Sequence, residues 1–194
     1  MGKGEITRQK IVAAAAPIFN QHGYEGASIQ ELMDATGLEK GGIYRHFNSK
    51  EELAAEAFRY AVDQVVKLRT ADLHQIEGSV AKLHTIVERF AEAPSPVPGG
   101  CPLMNTAIDS DDGNPVLREL AASAIRRWRS GLENIVRQGI ERGEIRTDVE
   151  PRRIATAVIA TLEGALMISR IERTRVALCD ARGVLDELIE SIGV

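Results

Sequence analysis

The sequence predicts an all-α protein of about nine helices, and three observations carry that expectation. Aromatic residues make up only 4% of the chain while Ala, Leu, Ile, Arg and Glu abound, a usage that favours helix over strand. Apolar residues recur at steps of three and four through most of the length. Serines placed three residues before a glutamate open two of these runs, and glycine or proline punctuates the others.

Taken in order, Ile11, Ala15, Ile18 and Phe19 share one face of a helix from about Thr7 to His22, which Gly23 ends. Ser28 with Glu31 forms a capping box ahead of Ile29, Leu32 and Met33, and this short helix closes before Gly37. A third helix begins near Glu39, keeps Ile43 and Phe47 on one side, and stops at Asn48-Ser49. Ser49 with Glu52 repeats the capping box, and Leu53, Ala57, Tyr60 and Ala61 sustain a long helix reaching about Leu73. Val80, Leu83, Val87 and Phe90 mark a fifth helix, followed by the loop Pro94 to Gly100, whose prolines lack the N–H a helix needs. Pro102 to Ser110 is a short helix. Asn114 then caps, and Pro115 begins, a long helix carrying Val116, Leu120, Ile125, Trp128, Leu132, Ile135 and Val136, with its end near Gly143. Pro151 opens the eighth, whose apolar residues from Ile154 to Ile171 cover most of its circumference and imply burial on two sides. The last places Leu178, Ala181, Leu185, Leu188 and Ile192 at a period near 3.5, a seam for a partner helix.

At 194 residues, 44% apolar and 27% charged, the chain has enough core for one large helical domain or a small domain joined to a larger one, which excludes a disordered tail or a disulfide mini-protein. Cys101 and Cys179 are too few for a disulfide framework and too isolated for zinc, and no histidine pair has ligand spacing, so neither metal nor cofactor is expected. The polar start, Met1 to Gln9, has no signal-peptide core, and Ile154 to Ile168 is broken by Glu163 and too short for a bilayer. A soluble, unprocessed chain in the reducing cytosol is expected, with no membrane partner.

Formal net charge is -4, so bulk composition announces no nucleic acid. Any such function must reside in a local patch. Residues 1–50 hold Lys3, Arg8, Lys10, Lys40, Arg45 and Lys50 against Glu5, Glu25, Glu31, Asp34 and Glu39, a slight cationic excess in a chain otherwise acidic. The first three helices also have the proportions of a helix-turn-helix unit whose third helix lies in the DNA major groove. With Leu38, Ile43 and Phe47 inward, that helix shows Lys40, Gly41, Tyr44 and Arg45 outward, with His46 at the edge. Lys and Arg bond guanine edges or phosphates, Tyr donates to a phosphate, and Gly41 with Gly42 let the backbone come close. Two glycines cost about 1 kcal/mol each in a helix interior and need a compensating reason. Ser28 and Ser49-Lys50 put backbone N–H groups and a cation where flanking phosphates would pass.

The run Gly37-Leu38-Glu39-Lys40-Gly41-Gly42-Ile43-Tyr44-Arg45-His46-Phe47-Asn48-Ser49-Lys50-Glu51-Glu52-Leu53 resembles the recognition segment of the TetR/AcrR family of bacterial transcriptional regulators, and the likeness extends upstream through Ile11, Phe19, Gly23, Tyr24, Ser28, Ile29 and Ala35. Ser28 stands where the family often has threonine, and Leu38 where it often has Val or Ile. The resemblance implies a DNA-binding domain at 1–53, with a long helix from about 50 to 73 leading on, and a helical effector-binding and dimerisation domain at 54–194. It implies a homodimer pairing through the last two helices, a double-stranded operator and an unidentified small-molecule effector. DNA contacts are expected from Ser28, Lys40, Gly41, Gly42, Tyr44, Arg45, His46 and Lys50. Ligand contacts are expected from His84, Phe90, Cys101, Met104 and Trp128. Two alternatives stand beside a ligand-released repressor. One is an effector-independent or redox-controlled DNA binder, with Cys101 as a thiolate at a helix start. The other is a helical enzyme with Cys101 as nucleophile, for which no partnered base is evident and no catalytic residue is assigned.

Overall fold

The structure is a computed structural model describing residues 2–194. Met1 and the side chain of Lys3, both part of the polar start, lie outside the described residues. The chain runs α1 (Lys3–Gly26), α2 (Ile29–Thr36), α3 (Lys40–Tyr44), α4 (Lys50–Thr70), a 3-10 turn at Leu73–Gln75, α5 (Ser79–Glu92), α6 (Pro102–Ser110), α7 (Pro115–Glu141), α8 (Pro151–Glu172) and α9 (Val176–Ile192). Among the described residues there is no strand, only an isolated bridge between Ile145 and Gly193, so the class is all-α as the composition predicts.

Local chemistry sets these boundaries. Ser28 Oγ accepts from Glu31 N at 3.1 Å while Glu31 Oε2 accepts from Ser28 N at 2.8 Å, the reciprocal box that opens α2. Asn114 Oδ1 accepts from Val116 N and Leu117 N, both at 2.9 Å, and opens α7 with Pro115 at its first position. Helical hydrogen bonding continues past Gly23 to Gly26, further than the expected end, but Gly23 itself leaves helical geometry at φ 74°. A Cβ there would lie 2.5 Å from Asp109 Oδ1, so both conformation and space require glycine. The long helix ends at Thr70, short of the expected Leu73, and Asp72 turns the chain at φ 51°.

The helices form two compact units. The first comprises the described residues to Val66 together with Ser95–Ala124. Its core is Ile11, Ala15, Leu32, Ile43, Phe47 and Leu53, joined by Val97 from the proline-rich loop. Asn20, 6% exposed, anchors that loop by donating to Pro98 O at 2.8 Å, and Asn105 Nδ2 donates to Asn20 Oδ1 at 3.0 Å. The buried asparagine is thus satisfied.

The second unit comprises Lys67–Pro94 and Ile125–Val194. Leu83, Val87, Leu132, Val136, Ile145, Leu162, Leu185 and Ile189 fill its core. Helix α8 buries Ile154, Val158, Leu162 and Ala165 on one face only, and leaves Met167, Ile168 and Ile171 exposed on another. The near-3.5 seam on α9 is occupied within the chain: Leu178, Ala181, Leu185 and Ile192 are buried where α9 packs on α5 and α8. A heptad-like stripe records that a helix has a partner without saying whose. By length and composition α8 would also suit a membrane span, being longer than the apolar stretch read from sequence. Its buried residues belong to the core, as those of a core helix do.

Candidate nucleic-acid interface

Helix α3 projects from the first unit with Ile43 and Phe47 anchored at 1% exposure each. At 100° per residue, that anchorage puts Gly41 and Arg45 at the centre of the outward face, with Tyr44 and Gly42 on its flanks. Exposure agrees: Lys40, Gly41 and Arg45 are exposed, while Gly42, Tyr44 and His46 are half-buried. A Cβ at Gly41 would meet nothing within 4 Å, and one at Gly42 would only touch Leu38 Cβ at 3.4 Å. Neither glycine has positive φ, so the fold requires neither.

Ser28 is exposed at the start of α2, and Lys50 is half-buried at the start of α4 with Nζ 4.8 Å from the Tyr24 ring centroid. That ring fixes the ammonium through its negative face. Burial, reinforced by Glu51 and Glu25, holds the Tyr24 phenol above its ordinary pKa.

The second capping box differs from the one expected. Ser49 Oγ accepts from Glu52 N at 3.0 Å, but the Glu52 carboxylate reaches further back, to Asn48 N at 2.7 Å and Asn48 Nδ2 at 2.8 Å. It also accepts from Arg8 Nη2 at 2.7 Å. The Arg8 guanidinium lies 4.1 Å from the Phe47 ring centroid, donates to the His46 carbonyl, and bonds Glu56 as well. Arg8 therefore belongs to the architecture and not to a free basic face. Its pairing partners are 44 and 48 residues away, a separation that helical periodicity does not encode.

These bonds tie stability to pH. The Ser28 amide and hydroxyl hold the Glu31 carboxyl below its ordinary pKa, and Arg8, followed by Asn48, does the same for Glu52. Depressed carboxylates contribute fully above the ordinary glutamate value of about 4.3 and lose that contribution as pH falls through their lowered values. The Glu31→Gln/Glu52→Gln variant is expected to melt lower at neutral pH yet lose less on acidification. Melting temperatures by circular dichroism over an acid series check this, and parallel curves would show that the carboxylates carry no linkage.

The residues expected to contact an effector separate between the units: His84, Phe90 and Trp128 in the second, Cys101 and Met104 in the first. Phe90 and Trp128 stack with centroids 5.8 Å apart, and His84 Nδ1 is 2.7 Å from Asp186 Oδ1. Cys101 is buried at the start of α6, and Cys179 is exposed. Among the described residues no group of His, Cys, Asp and Glu could hold a metal ion.

Residues 11–57 match the family model described as "Bacterial regulatory proteins, tetR family", and residues 79–185 match "Tetracyclin repressor-like, C-terminal domain". A TetR transcriptional regulator of Chloroflexus aurantiacus J-10-FL is similar over 100% of this chain and 98% of its own, at 46% identity and TM-score 0.94. A TetR-family regulator of Cytophaga hutchinsonii is similar over the same shares at 36% identity and TM-score 0.94. The HTH-type transcriptional repressor DhaR of Mycobacterium sp. (strain GP1) is 27% identical over 169 residues, 87% of this chain and 84% of its own.

Proposed function

Since this chain belongs to the tetR family of bacterial transcriptional regulators, we propose that it is a dimeric repressor that leaves a palindromic operator when a small molecule binds. The family and the relatives are transcriptional regulators and not enzymes, which removes the Cys101 nucleophile as an alternative. The observation that carries the DNA-reading part is the open, glycine-bearing face of α3 beside Lys40 and Arg45. Arg45 and Lys40 supply donors for base edges or phosphates, Tyr44 and His46 flank them, and Gly41 with Gly42 sets the depth of entry. Ser28 and Lys50 meet the phosphates on either side.

A second copy of this chain is the proposed occupant of the outward face of α8 and α9. Met167, Ile168 and Ile171 on α8, with Val176 and Val184 on α9, are large apolar groups left exposed on neighbouring helices. Pairing there places two copies of α3 about a two-fold axis, which matches a palindromic site. In the second unit the stacked Phe90 and Trp128 are the proposed aromatic contact for an effector, while His84, about 120° away around α5 and bonded to Asp186, lies on another face of that helix. An effector releases DNA only by binding more tightly to the dimer whose α3 spacing does not fit. The chain would work in the cytoplasm, where its DNA lies.

The test takes the purified chain and a duplex that it selects from a random-sequence pool. The wild type is expected to sediment as a dimer and prefer that duplex to its scramble. Lys40→Ala and Tyr44→Ala should each bind it at least tenfold more weakly, with the dimer intact. Unchanged affinity in both variants removes α3 from the interface.

A further inference from the structure

Helix α3 is five residues long, too short to hold its own axis, and the segment Arg45 to Ser49 joins it to α4. One side chain from outside spans that joint. The Arg8 guanidinium covers the Phe47 ring at 4.1 Å, donates to the His46 carbonyl, and bonds Glu52 at 2.7 Å and Glu56 at 3.2 Å. Glu52 in turn holds Asn48 through its backbone N–H and its side-chain amide. A planar fork thus joins α1, the end of the recognition segment and the first turns of α4 at one point. With two carboxylates on it, the Arg8 charge is compensated inside the protein and is not offered to a phosphate.

We infer that Arg8 is a positioning residue for DNA recognition: it fixes the angle at which α3 is presented, so it governs discrimination between sequences and not attraction to the backbone. This rests on the reading of α3 as the DNA-contacting helix. A phosphate contact and an angle-setting contact leave different signatures. Removing a phosphate contact lowers the slope of log affinity against log salt by about 0.9 and weakens all duplexes alike. Loosening the angle leaves the slope in place and lowers only the ratio of selected to scrambled duplex.

Dimeric wild type, Arg8→Ala, Arg8→Lys and Glu52→Gln are titrated with the selected duplex and its scramble over a salt series, at a temperature where circular dichroism shows each folded. Arg8→Ala is expected to lose at least tenfold in the ratio with its slope unchanged. Arg8→Lys keeps the charge but lacks the fork, and should lose severalfold in the ratio, as should Glu52→Gln, which removes the carboxylate that joins Arg8 to Asn48. If Arg8→Ala does not fold, the other two variants decide. A wild-type ratio in the folded variants overturns the inference, and so does a slope drop near 0.9 with both duplexes weakened equally. A wild type with no preferred duplex fails earlier, and overturns the reading of α3 itself.

Discussion

Gly41→Leu is expected to leave the fold standing while removing specific DNA binding. A side chain at residue 41 enters open space, since a Cβ there meets nothing within 4 Å. Leucine is also the better helix former, so the variant should melt at or slightly above the wild type, by up to about 1 kcal/mol. On the proposed reading, with α3 in the major groove, the operator would leave no such room. A helix with its side chains is about 10–12 Å across and the major groove about 12 Å wide. A leucine at the centre of the inserted face lifts the helix and breaks base-edge contacts worth about 1–3 kcal/mol each, roughly a hundredfold in affinity. Thermal unfolding and duplex titration on the same sample check both halves. A variant that binds as tightly as the wild type would show that this face does not enter the groove.

Phe47→Ala tests the opposite side of the same segment. Phe47 is 1% exposed among Ile11, Leu32, Ile43 and Leu53 and lies beneath Arg8. Truncating a buried phenylalanine removes its transfer energy and leaves a cavity, a loss of about 3–5 kcal/mol. That is a large part of the roughly 5–15 kcal/mol that stabilises a typical domain. Phe47→Leu keeps most of the volume and is expected to cost less than about 1.5 kcal/mol from packing, plus about 0.5–1 kcal/mol for the lost cation–π contact. Urea unfolding followed by helical ellipticity measures both. A loss below about 1 kcal/mol in Phe47→Ala would mean that the residue does not close the core.

Gly41 and Phe47 belong to a segment whose organisation is legible in sequence. The inward Ile43 and Phe47, the outward Gly41 and Arg45, and the box at Ser28 and Glu31 are relations between residues a few positions apart, and the structure holds them as read. In the sequence Arg8 reads as one more basic residue, because its partners are not its neighbours in the chain. Its partners Glu52 and Glu56 lie on another helix. The Asn20 and Asn105 bond that holds the proline-rich loop spans 85 residues, further still, and is equally unsignalled.

By itself the amino-acid order determined the helical class, most helix limits and the face that α3 turns outward, because caps, breakers and 3.6-residue periodicity act within one or two turns of backbone. Packing decided what that order leaves open. It gave the α9 stripe to α5 and α8 of the same chain, left Met167, Ile168 and Ile171 uncovered, and enclosed Arg8 between two carboxylates. An apolar stripe or a lone cation specifies the kind of neighbour it needs, and only the meeting of distant helices specifies which one it receives.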